Sequence, residues 1–242
     1  MKEGDSYYRI AGFPVRMNCV TDFMQRQCAP YAIEDKDTDT EGCLNLTYTD
    51  DDWQKYGRER IDLPTFEYGY TFLRFSNWIT ERGAFCFHAS AISVNGEGLL
   101  FSADSGTGKS THARLWKKFM TDCEVIPVND DKPTIRFAEK TPYVCGTPWS
   151  GKHMLNTNIE VPVKALVFLE QAEMNQIEEI PAERALSMVL PQVLGGKSNQ
   201  IQTAVLMGLL DCFLRGVPIY KLRCTPSETA VRLVYDTVWN RL

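Results

Sequence analysis

The chain has 242 residues, of which 44% are hydrophobic and 24% charged, and a net charge of −5. This is ordinary globular usage: it excludes a disordered or collagen-like chain and suits one large domain or a domain with an appendage. The acidic balance supplies no overall field to attract nucleic acid or anionic lipid, so neither is expected as a partner.

The eight cysteines form no C-x-x-C pair, and only three histidines are present. No zinc site of the usual local spacing is therefore expected, and scattered cysteines suit buried free thiols in a reducing compartment. The N-terminal MKEGDSYYRI lacks an apolar signal core, and the longest apolar run, Thr203 to Leu214, is short for a bilayer and contains Asp211. A cytoplasmic location without a membrane partner is expected.

From Glu34 to Arg60 the chain is strongly polar and reads as a solvated loop region. Asp50, Asp51 and Asp52 lack the glycine and spaced ligands of a calcium loop and are assigned no metal. Tyr68, Phe72, Phe75 and Ile79 recur at helical spacing as a core-facing stripe, and Arg82-Gly83 supplies the helix end. Gly83 marks the expected boundary between an accessory portion, 1–83, and the main domain, 84–242.

Beyond it, Ala84–Ser93 and Gly98–Ser102 read as strands around Asn95-Gly96, a strong hairpin signal. Ser110–Met120 reads as a helix and Glu124–Val128 as a strand, which Pro127 confines to an edge or a bulge. Val161–Leu169, Gln176–Ile180 and Val217–Arg223 read as further strands, and Pro181–Leu194 and Asn199–Arg215 as helices. A capping box at Thr225-Pro226-Ser227-Glu228 opens the last helix. Strands and helices mix without strict alternation, so the expected class is α/β or mixed α+β.

The segment Ala103-Asp104-Ser105-Gly106-Thr107-Gly108-Lys109-Ser110 matches the phosphate loop G-x-x-x-x-G-K-[ST], with alanine for the first glycine. Glycines let successive N–H groups converge on phosphate oxygens, and the following helix aims its positive end there. Ser105, Gly106, Thr107, Gly108, Lys109, Ser110 and Thr111 are the expected nucleotide-binding residues, Lys109 reaching the β and γ phosphates and Ser110 ligating Mg²⁺.

If Asn95-Gly96 is a two-residue turn, His88 lies opposite Ala103, and a four-residue turn would put it opposite Ser105. Either register delivers His88 to the phosphate loop. The strand after the helix leads to Asn129-Asp130-Asp131, where a Mg²⁺-linked carboxylate is expected. Adjacent extended residues point apart, so one aspartate suits the metal and the other an incoming hydroxyl as general base. A second glycine-bearing loop, from Gly146 to Asn158, carries Lys152, which reads either as a stabiliser of transferring charge or as a surface residue.

Together, His88, ADSGTGKST at 103–111 and VNDDKP at 128–133 resemble the catalytic domain of HPr kinase/phosphorylase, a relative of phosphoenolpyruvate carboxykinase. They are closer still to short HPr-kinase-like proteins, some of which phosphorylate serine in ribosomally made peptides. The resemblance runs from about residue 84 to 224. It implies a carboxykinase-like phosphate-loop fold and a kinase using ATP or GTP with Mg²⁺ on a peptide or protein serine. It makes Asp130 the metal-linked aspartate, Asp131 the base and His88 an active-site histidine, and it suggests a homo-oligomer. The chain departs from the family where Tyr143-Val144-Cys145-Gly146 replaces its E-I-R-G segment. A nucleotide hydrolase, a carboxykinase-like small-molecule enzyme and a nucleotide-sensing module without turnover are the alternatives.

Overall fold

The computed structural model describes residues 6–34, 42–104 and 106–240. It opens on a hairpin of β1 (Ser6–Ile10) and β2 (Phe13–Met17), turned by Ala11 and Gly12 at positive φ. Helix α1 (Asp22–Cys28) follows, capped by the Thr21 hydroxyl, which accepts from the Met24 N–H. Two short strands, β3 (Ala32–Ile33) and β4 (Leu44–Asn45), complete a four-stranded sheet in the order β3-β1-β2-β4.

Asp50–Asp52 are not loop. They form the first turn of α2 (Asp50–Tyr56), closed by a reciprocal cap between Thr49 and Asp52, where a helix dipole favours carboxylates. Residues 35–41 of the same polar stretch lie outside the described residues. Helix α3 (Leu63–Thr80) starts five residues before the aromatic stripe, because Asp62 caps it and Pro64 suits its first turn.

The strand expected over 84–93 is divided at His88-Ala89 into β5 (Ala84–Phe87) and β6 (Ser90–Val94). Its two halves need different partners. β6 pairs with β7 (Glu97–Ser102), while β5 pairs with β9 (Thr134–Ala138). The Asn95-Gly96 turn has two residues, both at positive φ, and sets Ala91 opposite Leu100 and Val94 opposite Glu97. After the loop come α4 (Lys109–Phe119) and β8 (Val125–Asn129). β8 is an edge strand, and its ladder on β6 is irregular beside Pro127, so the proline is tolerated on both counts.

β10 (Thr141–Cys145) leads to β11 (Glu160–Gln171), which changes partners along its length. Its first residues pair antiparallel with β10, and from Val163, across a bulge at Lys164, it runs parallel to β7 and then also to β14 (Ile219–Cys224). β12 (Gln176–Glu179) closes the far edge on β14. The helix expected over 181–194 is shorter: α5 (Ala182–Val189) passes through a 3₁₀ turn at Leu190–Gln192 into β13 (Val193–Leu194), which pairs with β5. Pro191 cannot donate to a continuing helix. α6 (Gln200–Gly216) and α7 (Glu228–Trp239) complete the chain. The last helix is capped by Ser227, two residues later than the expected Thr225, which instead donates its N–H to Asn175.

Strand alternation splits the core between two faces. Leu100, Leu166 and Phe168 pack under α5 and α6, while Leu99, Phe101 and Val167 pack under α4 and α7. A third cluster joins the N-terminal sheet, α1 and α3 to Ala84, Cys86, Cys145 and Trp149. All eight cysteines are free thiols. Among the described residues no helix is long and apolar enough to cross a membrane.

His112 of α4 is buried with its ring 4.7 Å from that of Phe101, and neither nitrogen has a partner among the described residues. Burial pushes its pKa down to about 4. A histidine with a depressed folded pKa stabilises fully above the unfolded value, and that stability is lost as pH falls towards the folded one. The loss reaches about 2 kcal/mol by pH 5. His112→Leu is therefore expected to flatten the acid limb of a urea-melt stability profile between pH 7 and 5; an unchanged limb would remove His112 from the account.

Candidate active site

The loop leaves β7 at Ala103 and enters α4 with Gly108 as its cap residue. Gly106 and Gly108 sit at φ of 84° and 113°, a region L side chains rarely adopt, while the space around both is open. Backbone conformation, not crowding, is what selects glycine here. The Lys109 ammonium donates to the carbonyls of Ala103 (2.9 Å) and Asp104 (3.4 Å), and burial lowers its pKa. Ser105 lies outside the described residues.

A cleft of about 560 Å³ opens beside this loop. Gly106, Gly108, Lys109, Ser110 and Thr111 line one wall; His88, Asp130 and Asp131 line another. Thr107 instead faces depressions on the far side of the loop. Lys152 stands at the rim with Gly151 and His153.

The two aspartates occupy a bend beyond β8, not extended strand as the sequence suggests. They still diverge, because Asn129 turns the chain: its Oδ1 accepts from the N–H of Asp131 (2.8 Å) and of Lys132 (2.7 Å). The Asn129 amide is held in turn by Thr147, through the carbonyl and the hydroxyl. Asp130 points inward and is 7% exposed. Its Oδ1 accepts from the Gly151 N–H at 2.5 Å, whereas Oδ2 is buried without a partner among the described residues. Burial, more than neighbouring Asp131, raises its pKa. The Ser110 hydroxyl lies 3.3 Å from the Asp130 carbonyl and 3.2 Å from the Ser90 hydroxyl.

Asp131 faces the other way. Its Oδ1 is 3.5 Å from His88 Nε2, and Oδ2 pairs with Lys132. The His88 Nδ1 is 3.1 Å from Gln192 Oε1 and its Nε2 faces Asp131, so an oxygen acceptor stands at each ring nitrogen. Burial, then Lys109, keeps His88 below the usual histidine range.

Several members of the site escape sequence reasoning. The Lys132 ammonium bonds the Tyr68 hydroxyl at 2.9 Å and lies over its ring, and Tyr68 donates to the Ser150 carbonyl. A helical stripe shows Tyr68 as core and says nothing of its hydroxyl. Arg114 lines the cleft one helical turn after Ser110, and its Nε donates to the Ser110 carbonyl. Gln192 comes from a segment expected to be helix interior, so no signal pointed to it.

The family model of SynChlorMet cassette protein ScmC matches residues 71–229, about two thirds of the chain. The chain belongs to the ScmC family. All the cleft residues named above fall inside the matched span; Tyr68 lies just before it. A solved HPr(Ser) kinase/phosphatase from Coxiella burnetii matches 63% of this chain and 97% of that one, at 12% identity and a TM-score of 0.33. At that level the likeness carries no weight for fold or activity. No curated protein matches the chain. The family shown is therefore ScmC, not the HPr kinase family that the motifs resemble.

A carboxyl whose pKa is raised on folding favours the folded state at low pH, and that contribution is lost as pH rises through the raised value. Asp130 thus destabilises the ScmC-family fold near neutrality. Asp130→Asn keeps an acceptor for the Gly151 N–H and removes the charge. It is expected to stabilise by about 1 kcal/mol at pH 8, a melting shift of about 2–4 °C, and the gain should vanish near pH 3. Calorimetry against pH checks it, and a variant less stable at pH 8 would refute the assignment.

Proposed function

We propose that this protein is a kinase that transfers the γ-phosphoryl group of ATP or GTP to a hydroxyl, a serine of a peptide or protein. The observation that carries this reading is the convergence on one cleft of a glycine loop at a helix N-terminus, a buried carboxylate with a free oxygen, and a second carboxylate backed by a neutral histidine. A binding module needs only the first of these. Phosphoryl transfer to a hydroxyl also draws on a carboxylate that can hold a metal and on a second that can take the hydroxyl proton.

In this reading the amides of residues 106–110 and the Lys109 ammonium hold the phosphates, Lys109 exchanging its loop carbonyls for phosphate oxygens. Asp130 Oδ2 and the Ser110 hydroxyl fit a Mg²⁺ ion, because a buried carboxylate oxygen without a partner suits a hard cation. Bound there, Mg²⁺ would offset phosphate charge.

Asp131 would take the proton of the acceptor hydroxyl as that oxygen bonds the γ-phosphorus and the bond to the bridging oxygen breaks. The nucleoside diphosphate leaves with that electron pair. His88, 3.5 Å from Asp131 Oδ1, would steady that carboxylate and is the neighbouring group that could relay its proton. Lys132 holds Asp131 in its orientation from the other side.

Asp131→Asn is expected to bind nucleotide with near wild-type affinity and to lose transfer by about 10²–10⁴-fold. Lys109→Ala should lose both binding and transfer. Equilibrium binding of labelled nucleotide, alongside intact-mass analysis of acceptors mixed with Mg²⁺ and ATP, separates the two. An Asp131→Asn variant that still transfers refutes the base assignment. Phosphate released only to water by the wild type would make the protein a hydrolase, and tight binding without turnover a sensor.

A further inference from the structure

The cleft does not end at Asp131. A trough of about 400 Å³ continues from Asp131, Gly151 and Lys152 outward between Phe23 of α1 and the start of α3, where Asp62, Pro64 and Thr65 form the wall. Three residues, Asp131, Gly151 and Lys152, thus belong to both hollows, so a group lying in the trough ends at the carboxylate that faces the phosphate loop. The nucleotide side and the trough meet at one oxygen-bearing side chain.

Two features define what the trough suits. Its floor is built by Tyr68, fixed by the Ser150 carbonyl and the Lys132 ammonium, so it is preformed. Its outer wall is mixed: the Phe23 ring and Pro64 offer apolar surface, and the exposed Asp62 carboxylate offers charge. The Asp62 carboxylate bonds the Thr65 hydroxyl and N–H, and these bonds hold its pKa below the usual carboxylate range. The two lysines of the trough are at its inner end, Lys132 paired with Asp131 and Lys152 on the cleft rim. An open, half-apolar groove with an anionic outer end fits an extended chain segment, whereas a small metabolite would need enclosure.

We propose that this trough is the acceptor subsite and that it takes a peptide segment whose serine reaches Asp131 and whose flank towards Asp62 carries a basic residue. The inference rests on the kinase reading and deepens it. It makes Asp62 a specificity-determining residue, and it gives the accessory portion, residues 1–83, its role in substrate recognition. Phe23, Asp62, Pro64 and Thr65 all precede the span matched by the ScmC family model.

The probe is a degenerate peptide library with a fixed central serine and three varied residues on each side, phosphorylated with γ-labelled ATP and Mg²⁺. Nucleotide binding and phosphate release to water are measured in parallel. Asp62→Asn keeps the helix cap and removes the charge; Thr65→Trp fills the trough. Neither residue lines the phosphate-loop cleft. Wild type should select lysine or arginine at a position on one side of the serine. Asp62→Asn should lose about threefold to fivefold of that preference, the size of one exposed charge pair. Thr65→Trp should lose peptide transfer about tenfold or more while still binding nucleotide, which also reports that it folds. Unchanged transfer by Thr65→Trp, or an unchanged basic preference in Asp62→Asn, overturns the proposal. So does a wild type that releases phosphate to water but modifies no library member. A wild type that fails to bind Mg–ATP refutes the kinase reading itself, seen in the binding arm, and the subsite falls with it.

Discussion

The buried side chain of Asn129 spends all of its bonding on the chain around it: Oδ1 takes the N–H groups of Asp131 and Lys132, and Nδ2 gives to Thr147. These bonds set the direction of everything after β8. Without them the backbone would continue as strand and the two aspartates would alternate about a straight axis. With them, Asp130 turns under the 150–152 loop to Gly151, and Asp131 swings to His88 and Lys132. The tie to Thr147, whose hydroxyl also bonds the Lys132 carbonyl, locks this bend to the second glycine-bearing loop. One neutral amide thereby sends two adjacent carboxylates in different directions.

The cost of this arrangement falls on Asp130. A carboxylate buried with one oxygen unpartnered among the described residues is destabilising unless something polar or cationic meets it. Its Oδ1 is met by the Gly151 N–H, and Oδ2 lines the cleft wall opposite the glycine loop with that cost unrelieved among the described residues. His112, one helical turn from Gly108 and buried without partners, is different: no ligand-facing geometry accounts for it, and its nitrogens are covered by protein.

How much of this was readable beforehand depends on the range of the interactions involved. The hairpin register was readable because a two-residue Asn-Gly turn permits little else, and it brought His88 near Ala103 before any tertiary contact was known. The 103–108 loop and the helix after it were readable as a turn and a helix because glycine punctuation and a helix start are local. The N-terminal sheet was not: its strands are two to five residues long and are defined by partners elsewhere in the chain. Nor was the end of α5, where an apolar rhythm continued past Pro191 into a strand that exists only because β5 offers an edge. Tyr68 and Gln192 were invisible for the same reason, since each joins the site through a bond that spans over sixty residues.

The site itself lies on a seam. β5 ends at Phe87, β9 begins at Thr134 and β10 ends at Cys145, so the antiparallel half of the sheet delivers three strand ends to the 87–89, 129–134 and 145–151 segments. From the other half, β6 begins at Ser90, β7 ends at Ser102 and β8 ends at Asn129, all at the same edge. The parallel neighbours β7, β11 and β14 point their carboxyl ends to the loop side, the usual place for a ligand in such sheets. The 103–108 loop thus belongs to the parallel half and the Gly151–Lys152 rim to the antiparallel half. At His88-Ala89 one expected strand passes from one half to the other, as β11 also does along its length. His88 donates its N–H to the Gln192 carbonyl, accepts from the Ser102 hydroxyl, and Ala89 donates to the Asp131 carbonyl. A histidine whose backbone is held there by three segments has its imidazole placed by the sheet, and that placement is what sets its 3.5 Å approach to Asp131.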